Sequence, residues 1–407
     1  MTRARNALII GGGIAGPAAA MALQKAGIDP VIYEAHPGGA DGVGAFLTLA
    51  PNGADALQAI DADTPALAAG FPTPAIVLRS GTGKYLGSGP AGLPGGMPSQ
   101  TLKRADLYQA LHEEAARRGV PIERGKRLVR AMETGDTVRA VFADGSEATG
   151  DLLIGCDGVH STLRRIIDPA APSPAYSGLI NTGGYASGVP VDTAPGSYEM
   201  IFGKQAFFGY VVAPGHEVWW FANVPRRDEP ARGELSAITG DEWRRRLLQL
   251  YADDAGPAVT LIEATPDLMA VSPIHTMPRL PAWHAGRMIV IGDAAHAPSA
   301  TSGQGASLSI EDAITLAQCL RDLPGHEEAF ARFETLRRPR VERIVKAAAR
   351  INNSKAAGPA ARRVRDTILP LILKLAANSK QATRPFVHHI DWDTPISATS
   401  ATPASPM

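Results

Sequence analysis

Cysteine is scarce: only Cys156 and Cys319 occur in 407 residues. They lie far apart, each inside an apolar run, so no disulfide framework is available and a reducing compartment, the cytoplasm, is expected. Net charge is lacking too. The 40 basic and 40 acidic residues balance, which removes any general electrostatic pull toward nucleic acid or anionic lipid. No stretch of about 18 apolar residues runs free of glycine clusters, so no membrane span is expected. The apolar ILPLILKL at 368–375 carries Pro370 and Lys374 and reads as a packed terminal helix. Arg3 and Arg5 precede an uncharged run from Ala7 to Leu23 that superficially resembles a secretion signal, but three successive glycines break its helical part. No His, Cys, Asp and Glu residues cluster at metal-ligand spacing, so no metal is expected. These exclusions leave a small-molecule partner and a chain long enough for two or three domains.

What the chain does have is glycine in two distant loops, each behind a strand-like run and ahead of a helix-like one. In the first, Gly11, Gly13 and Gly16 follow the apolar run Ala7 to Ile10, with Ile14 and Ala15 between the last two and a helix reading from Ala18 to Lys25. DPVIYEA then supplies a second strand ending in Glu34, about 20 residues on, as a dinucleotide-binding unit requires. Gly11 allows the tight turn, Gly13 lets backbone approach a pyrophosphate, and Gly16 lets helix and strand pack. The helix N-terminus offers amides to phosphates. Glu34 would accept hydrogen bonds from a ribose and repel a 2′-phosphate, pointing to the adenosine of FAD or NAD.

Further along, Thr101 to Arg117 reads as a helix. Arg104 near its start is disfavoured by the helix dipole and therefore expects an anionic or polar partner. Two alternating stretches from 127 to 150 read as hairpin strands. CDGVHSTLR repeats the strand, turn and helix theme, with Asp157 and Gly158 at the turn; by itself Asp157 reads as a helix cap. From about Ser173 to Leu280 aromatic and β-branched residues alternate with polar ones, the pattern of an antiparallel sheet. Such a sheet can wall an apolar pocket with Phe207, Phe208, Tyr210, Trp219, Trp220 or Phe221. Alternation lets only some of these face inward; Phe208, Tyr210 and Trp220 are the expected ones, although core packing accounts for any one of them better than ligand contact does. LGSGPAGLPGGMPS at 86–99 reads as a loop. The second glycine loop, GDAAHAPSATSGQG, starts at Gly292 and holds Asp293, Gly303, Gln304 and Gly305, then Ala306 opens the next helix. His296 within it reads as a turn or hydrogen-bonding residue. The charged stretch 326–353 is helical with a break or kink at Pro339.

Three motifs in order, GGGIAG with Glu34, CDGVHSTLR, and GDAAHAPSATSGQG followed by Glu311-Asp312-Ala313, make the chain resemble the single-component FAD-dependent aromatic hydroxylases over residues 5–350. These flavoprotein monooxygenases include relatives of para-hydroxybenzoate hydroxylase and of tetracycline- and polyketide-modifying enzymes. The resemblance implies an α/β fold, with a discontinuous Rossmann-like FAD-binding domain (1–72, 100–172, 281–325). An inserted, mainly antiparallel substrate domain (73–99, 173–280), C-terminal helices (326–380) and a mobile tail (394–407) complete it. It further implies that Glu34 holds the adenosine ribose, Arg104 lies near the FAD phosphates, and Asp157 lies in the FAD and NAD(P)H region. Asp293 would meet the ribityl-pyrophosphate, and the Gly303 to Ala306 backbone the isoalloxazine. Pro298 and Ala300 would lie near that ring. Ala300 stands where relatives carry proline, Ser307 where asparagine is frequent, and HPGGADGVGAF lacks an arginine that many relatives use.

By the same resemblance, a flavin reduced by NAD(P)H reacts with O2 to form a C4a-hydroperoxide that hydroxylates or epoxidises an aromatic or polycyclic substrate. Such chemistry belongs to the cofactor, so no catalytic triad is expected. The alternative is a redox-silent FAD-fold cyclase or isomerase, which would turn over without consuming NAD(P)H or O2.

Overall fold

A computed structural model describes residues 4–38, 45–93, 95–355, 358–376 and 383–397. Its helices are α1 (Ala15–Lys25), α2 (Pro51–Gln58), α3 (Asp63–Ala68), α4 (Arg104–Arg117), α5 (Thr162–Ile167), α6 (Gly240–Tyr251), α7 (Ala258–Glu263), α8 (Asp293–His296), α9 (Gly305–Asp322), α10 (His326–Lys355) and α11 (Pro359–Ala376).

The strand Asn6–Ile10 lies near the middle of a six-stranded sheet. Leu152–Gly155 and Asp29–Glu34 flank it in parallel, with Met288–Val290 and Ile122–Arg124 beyond them. Ala7, Leu8, Ile9 and Ile10 are all buried, because a parallel strand is covered on both faces and so reads as a continuous apolar run. Helices α1 and α9 pack against each other. A three-stranded meander, Leu128–Thr134, Thr137–Phe142 and Glu147–Gly150, adds Phe142, which stacks on Tyr33 at 4.7 Å.

A second, seven-stranded sheet joins Ala75–Ser80 and Tyr85–Pro90 to strands from 175–276. Its pairings are antiparallel except between Ala75–Ser80 and Ser197–Phe202. One face is covered by α6 and α7 through Phe208, Trp220, Leu247, Tyr251 and Leu261. A small sheet, Phe46–Leu49, Ser99–Lys103 and Phe71–Thr73, approaches the other face.

Several expectations change. The helix expected from Thr101 starts at Arg104, because Ser99–Lys103 pairs with two strands at once and tertiary pairing overrides local pattern. Within 86–99, Tyr85–Pro90 is an edge strand whose Leu86 is buried against Phe202 and Phe207; an edge tolerates its glycines and proline. Helix α10 runs unbroken through Pro339, held on that turn by ion pairs of Arg337, Arg338 and Arg340. Helix α11 packs by one face only: Leu369 joins a core cluster while Val364, Ile368, Leu371 and Ile372 remain exposed. Of the tail, residues 394–397 are anchored, Ile396 donating its amide to Asp322 at 2.8 Å, and 398–407 lie outside the described residues. The segment 383–397 forms a strap across α2 and α9. His389 and the Ile390 amide bind Asp55, and Trp392 lies under Arg321 and near Lys25. Both cysteines are buried and free.

Candidate functional site

The three glycines of the first loop differ in what forces them. Gly11 has φ +104°, and a Cβ there would lie 2.4 Å from the Cys156 carbonyl oxygen. A Cβ on Gly16 would lie 2.1 Å from the Gly11 carbonyl oxygen, so these two glycines serve the protein's own packing. A Cβ on Gly13 would meet nothing within 4 Å. The gap in front of Gly13 opens beside the N-terminus of α1, whose cap residue Ile14 contributes no side-chain hydrogen bond. The first-turn amides, including those of Ala15 and Gly16, thus have no side-chain cap from Ile14, the arrangement a phosphate site uses. Glu34 ends its strand beneath this loop and accepts the Gly12 amide at 2.7 Å and the His36 amide at 2.8 Å.

The second loop repeats the design. Gly292 has φ +58°, and its Cβ position lies 3.5 Å from Ala15, which brings α8 against the start of α1. At Gly303, in the left-handed region at φ +59°, a Cβ would again meet nothing within 4 Å. Gln304 caps α9 without a side-chain bond to its amides, leaving a second open helix N-terminus. A Cβ on Gly305 would be 3.9 Å from both Asp293 and Pro298, so these three residues share one corner, and Ala306 follows on the first turn of α9. Ala300 is exposed at the start of the preceding turn. Ser307 accepts the Ala50 amide at 3.1 Å and fits against Gly53, where an added Cβ would be 2.6 Å from its Oγ.

Two carboxylates face the space between the loops. Asp157 caps α5 with one oxygen, accepting from the Thr162 amide at 2.7 Å, while its Oδ1 is buried without a protein partner among the described residues. Burial raises its pKa against those hydrogen bonds, and Gly158 beside it has φ +74°. Asp293 is exposed to solvent, yet protein packed around it raises its pKa. That combination belongs to a group at the floor of an open cleft. His296 and Arg104 act on it in the opposite direction, which brings the start of α4 to the same cleft. Open backbone at Gly13 and Gly303 and two helix starts without a side-chain cap fit a long diphosphate ligand, and the unpartnered Asp157 oxygen fits a hydroxyl donor carried on it.

Behind the second loop lies a charge network whose carboxylates, Glu311 and Asp312, belong to the third motif but whose basic partners no motif announced. Asp312 accepts from the Gly292 amide at 3.0 Å and binds His296 and Arg337. Glu311 binds Arg337, Arg340 and the Asn52 amide, and Asn52 also donates to Gln304 at 2.9 Å. Burial acts to raise both carboxyls, but Arg337 with Arg340 at Glu311, and His296 with Arg337 at Asp312, outweigh it and hold each at about 2. His296 thus has a hydrogen-bonding position, as expected.

The aromatic residues divide by parity. Phe208, Tyr210 and Trp220, the expected pocket residues, lie on the face buried under α6 and α7. On that face a cavity of about 400 Å³ is lined by Arg79, Asp192, Thr193, Glu199 and Tyr210. Their neighbours Trp219 and Phe221 point the other way, toward the small sheet, where Phe46 lies 5.6 and 6.0 Å from their rings and Phe71 and Tyr198 join them. Strict two-residue alternation was visible in WWFANV; which of the two sets faces inward depends on where α6 and α7 pack. Among the described residues no group of three or more His, Cys, Asp or Glu is arranged to hold a metal, and no helix is long and apolar enough to cross a membrane.

The family described as FAD binding domain matches residues 5–348. The chain is 31% identical over 354 residues to aurachin C monooxygenase/isomerase of Stigmatella aurantiaca, covering 84% of this chain and 88% of that protein. It is 31% identical over 350 residues to an FAD-dependent urate hydroxylase of Klebsiella pneumoniae, covering 84% and 88%. The crystal structure of Klebsiella pneumoniae HpxO complexed with FAD and uric acid superposes with a TM-score of 0.82 at 25% identity, covering 94% of this chain and 97% of that one.

Proposed function

This chain belongs to the FAD-binding family of flavin-dependent monooxygenases, and from that premise we propose that it transfers one oxygen atom of O2 to an aromatic or polycyclic small molecule at the expense of NAD(P)H. The balance is substrate, O2, NAD(P)H and a proton in; hydroxylated or epoxidised product, water and NAD(P)+ out. The observation that carries this reading is the pairing of a cofactor cradle with an aromatic-walled sheet face beside it.

The amides at the start of α1, with Gly13 giving room, would hold the diphosphate, and Glu34 the adenosine ribose. Arg104, Asp157 and Asp293 would flank the middle of the cofactor; Gly303, Gln304 and Gly305 would lie against its ring system, with Pro298 and Ala300 nearby. Bound there, FAD supplies the activation of O2 by a reduced flavin. The chain's own contribution is position and dryness. Phe46, Trp219 and Phe221 hold an aromatic ring by stacking and keep water out, which limits loss of reducing power to hydrogen peroxide. The buried free thiols support a cytoplasmic location.

The test is to purify the protein, record its visible spectrum, and screen aromatic compounds for stimulated NAD(P)H oxidation with O2 uptake. A yellow protein with substrate-dependent consumption of both, and oxygen from ¹⁸O2 in the product, is the expected result. A protein that cannot be loaded with FAD removes the reading. Turnover without NAD(P)H or O2 transfers it to a cyclase or isomerase.

A further inference from the structure

At the C-terminal end of α10, Lys355 turns into the protein instead of into water. It is 9% exposed, its Nζ donates to Asn223 Oδ1 at 2.6 Å, and it lies 4.0 Å from the ring centre of Phe207 and 5.7 Å from that of Phe221. Asn223 is itself 2% exposed and is oriented by donating to Asn181 Oδ1 at 2.8 Å. Asn223 and Phe221 alternate on one strand, so both occupy the face that looks away from α6 and α7. Phe207 pairs with Asn223 in the register. Phe221 touches Phe46, on the strand that leads from the cofactor domain into the small sheet. The turn Ala300–Ser302 packs against α10. The lysine and the asparagine pair therefore lie on the aromatic face of the sheet that Phe221 and Phe46 share, and α10, which carries the lysine, also packs against the turn of the second glycine loop.

This ammonium lacks a counter-charge among the described residues, and burial lowers its pKa to about 7 with no opposing cause. An ammonium has three N–H donors, and Asn223 takes one. Aromatic faces attract the charge but do not replace the missing acceptors. A helix C-terminus favours a cation, yet that attraction is available to an exposed lysine and does not account for one driven into an apolar face. Burying an uncompensated cation is costly, and such a group marks a place where a ligand supplies the acceptor.

We propose that Lys355, with Asn223 held by Asn181, forms the polar end of the substrate chamber and recognises an oxygen borne on the substrate's aromatic ring, as phenolate or ring carbonyl. The inference rests on the reading of the chain as an aromatic monooxygenase and narrows its substrates to oxygen-substituted aromatics. A cation at that oxygen favours phenolate over phenol, and a phenolate ring is the more electron-rich acceptor of an oxygen atom.

The test uses the FAD-loaded protein and three pairs of probes: 1-naphthol, 2-naphthol and 4-hydroxyquinoline, each with the isostere in which methyl replaces the oxygen. Binding is read from perturbation of the flavin spectrum. The wild type is expected to prefer the oxygen-bearing member of at least one pair by about tenfold or more, the effect of a hydrogen bond to a charged group. Lys355→Met should abolish that preference while FAD content and binding of the methyl member persist, and Lys355→Arg should restore part of it. A second reading, carbamylation by cyanate mapped by peptide mass spectrometry, should modify Lys355 in the wild type and be blocked by the preferred probe alone. No preference in any pair, or a preference that survives in Lys355→Met, overturns the proposal. O2-dependent oxidation of methyl and oxygen-bearing members alike would sink this inference and leave the monooxygenase reading standing. An intact preference without NAD(P)H or O2 consumption would do the reverse.

Discussion

Gly13 and Gly16 are three residues apart, and a methyl group added to each should fail in different ways. Gly16→Ala forces its Cβ into the Gly11 carbonyl, so both thermal stability and FAD content of the purified protein should fall. Gly13→Ala meets nothing in the folded chain, so apoprotein stability should stay within about 0.5 kcal/mol while FAD binding weakens. Equal losses of stability in the two variants would contradict this assignment. Lys355 provides a pH-dependent counterpart. Its pKa falls from 10.5 to about 7 on folding, so the cost of the buried charge is fully present below pH 7 and disappears as pH rises toward 10.5. Lys355→Met should therefore raise the urea midpoint most at pH 6 and progressively less toward pH 10. The glycine spacing was readable in the sequence because it is local, whereas the inward aromatics were not: Trp219 and Trp220 are adjacent and chemically identical, and only packing of the sheet distinguishes them.

Helices α9 and α10 are joined by charges that look ordinary in sequence. Glu311 and Asp312 stand in the third motif, but Arg337 reads as one of many basic residues on the next helix; their partnership spans 25 or more residues and carries no motif of its own. It is nonetheless completely buried. Asp312→Ala would leave Arg337 with one carboxylate and His296 with none, and should destabilise the protein by about 3–5 kcal/mol, measurable by urea denaturation. Because folding lowers both carboxyls to about 2 from 4.5 and 3.8, their contribution is intact above about pH 5 and is lost as pH falls toward 2. Glu311→Gln should flatten that acid-side decline; an unchanged slope would show that other groups cause it. Proline in α10, and proline and glycine in the edge strand, were misleading for a related reason: local breakers yield where tertiary contacts hold the element in place.

In the whole molecule, the alternation of strand, glycine turn and helix made the cofactor-binding layout legible, while the strap 383–397 was invisible because its contacts are to residues between 45 and 335 positions away. Ending the chain at Ala382 should remove the bonds to Asp55, Gln318 and Arg321 and lower the thermal midpoint by about 5 °C or more, as read by calorimetry; an unaltered midpoint would mean that the strap is ornamental. The position of Asn6–Ile10 has a different outcome. That strand emerges from the ribosome well before its neighbour Leu152–Gly155 and helix α9. At about 5–20 residues per second, translation leaves this apolar piece of the nascent chain waiting on the order of 15–60 s for α9. The protein is therefore a natural client for chaperones, and the vitamin-derived coenzyme can join only a polypeptide already made through α9.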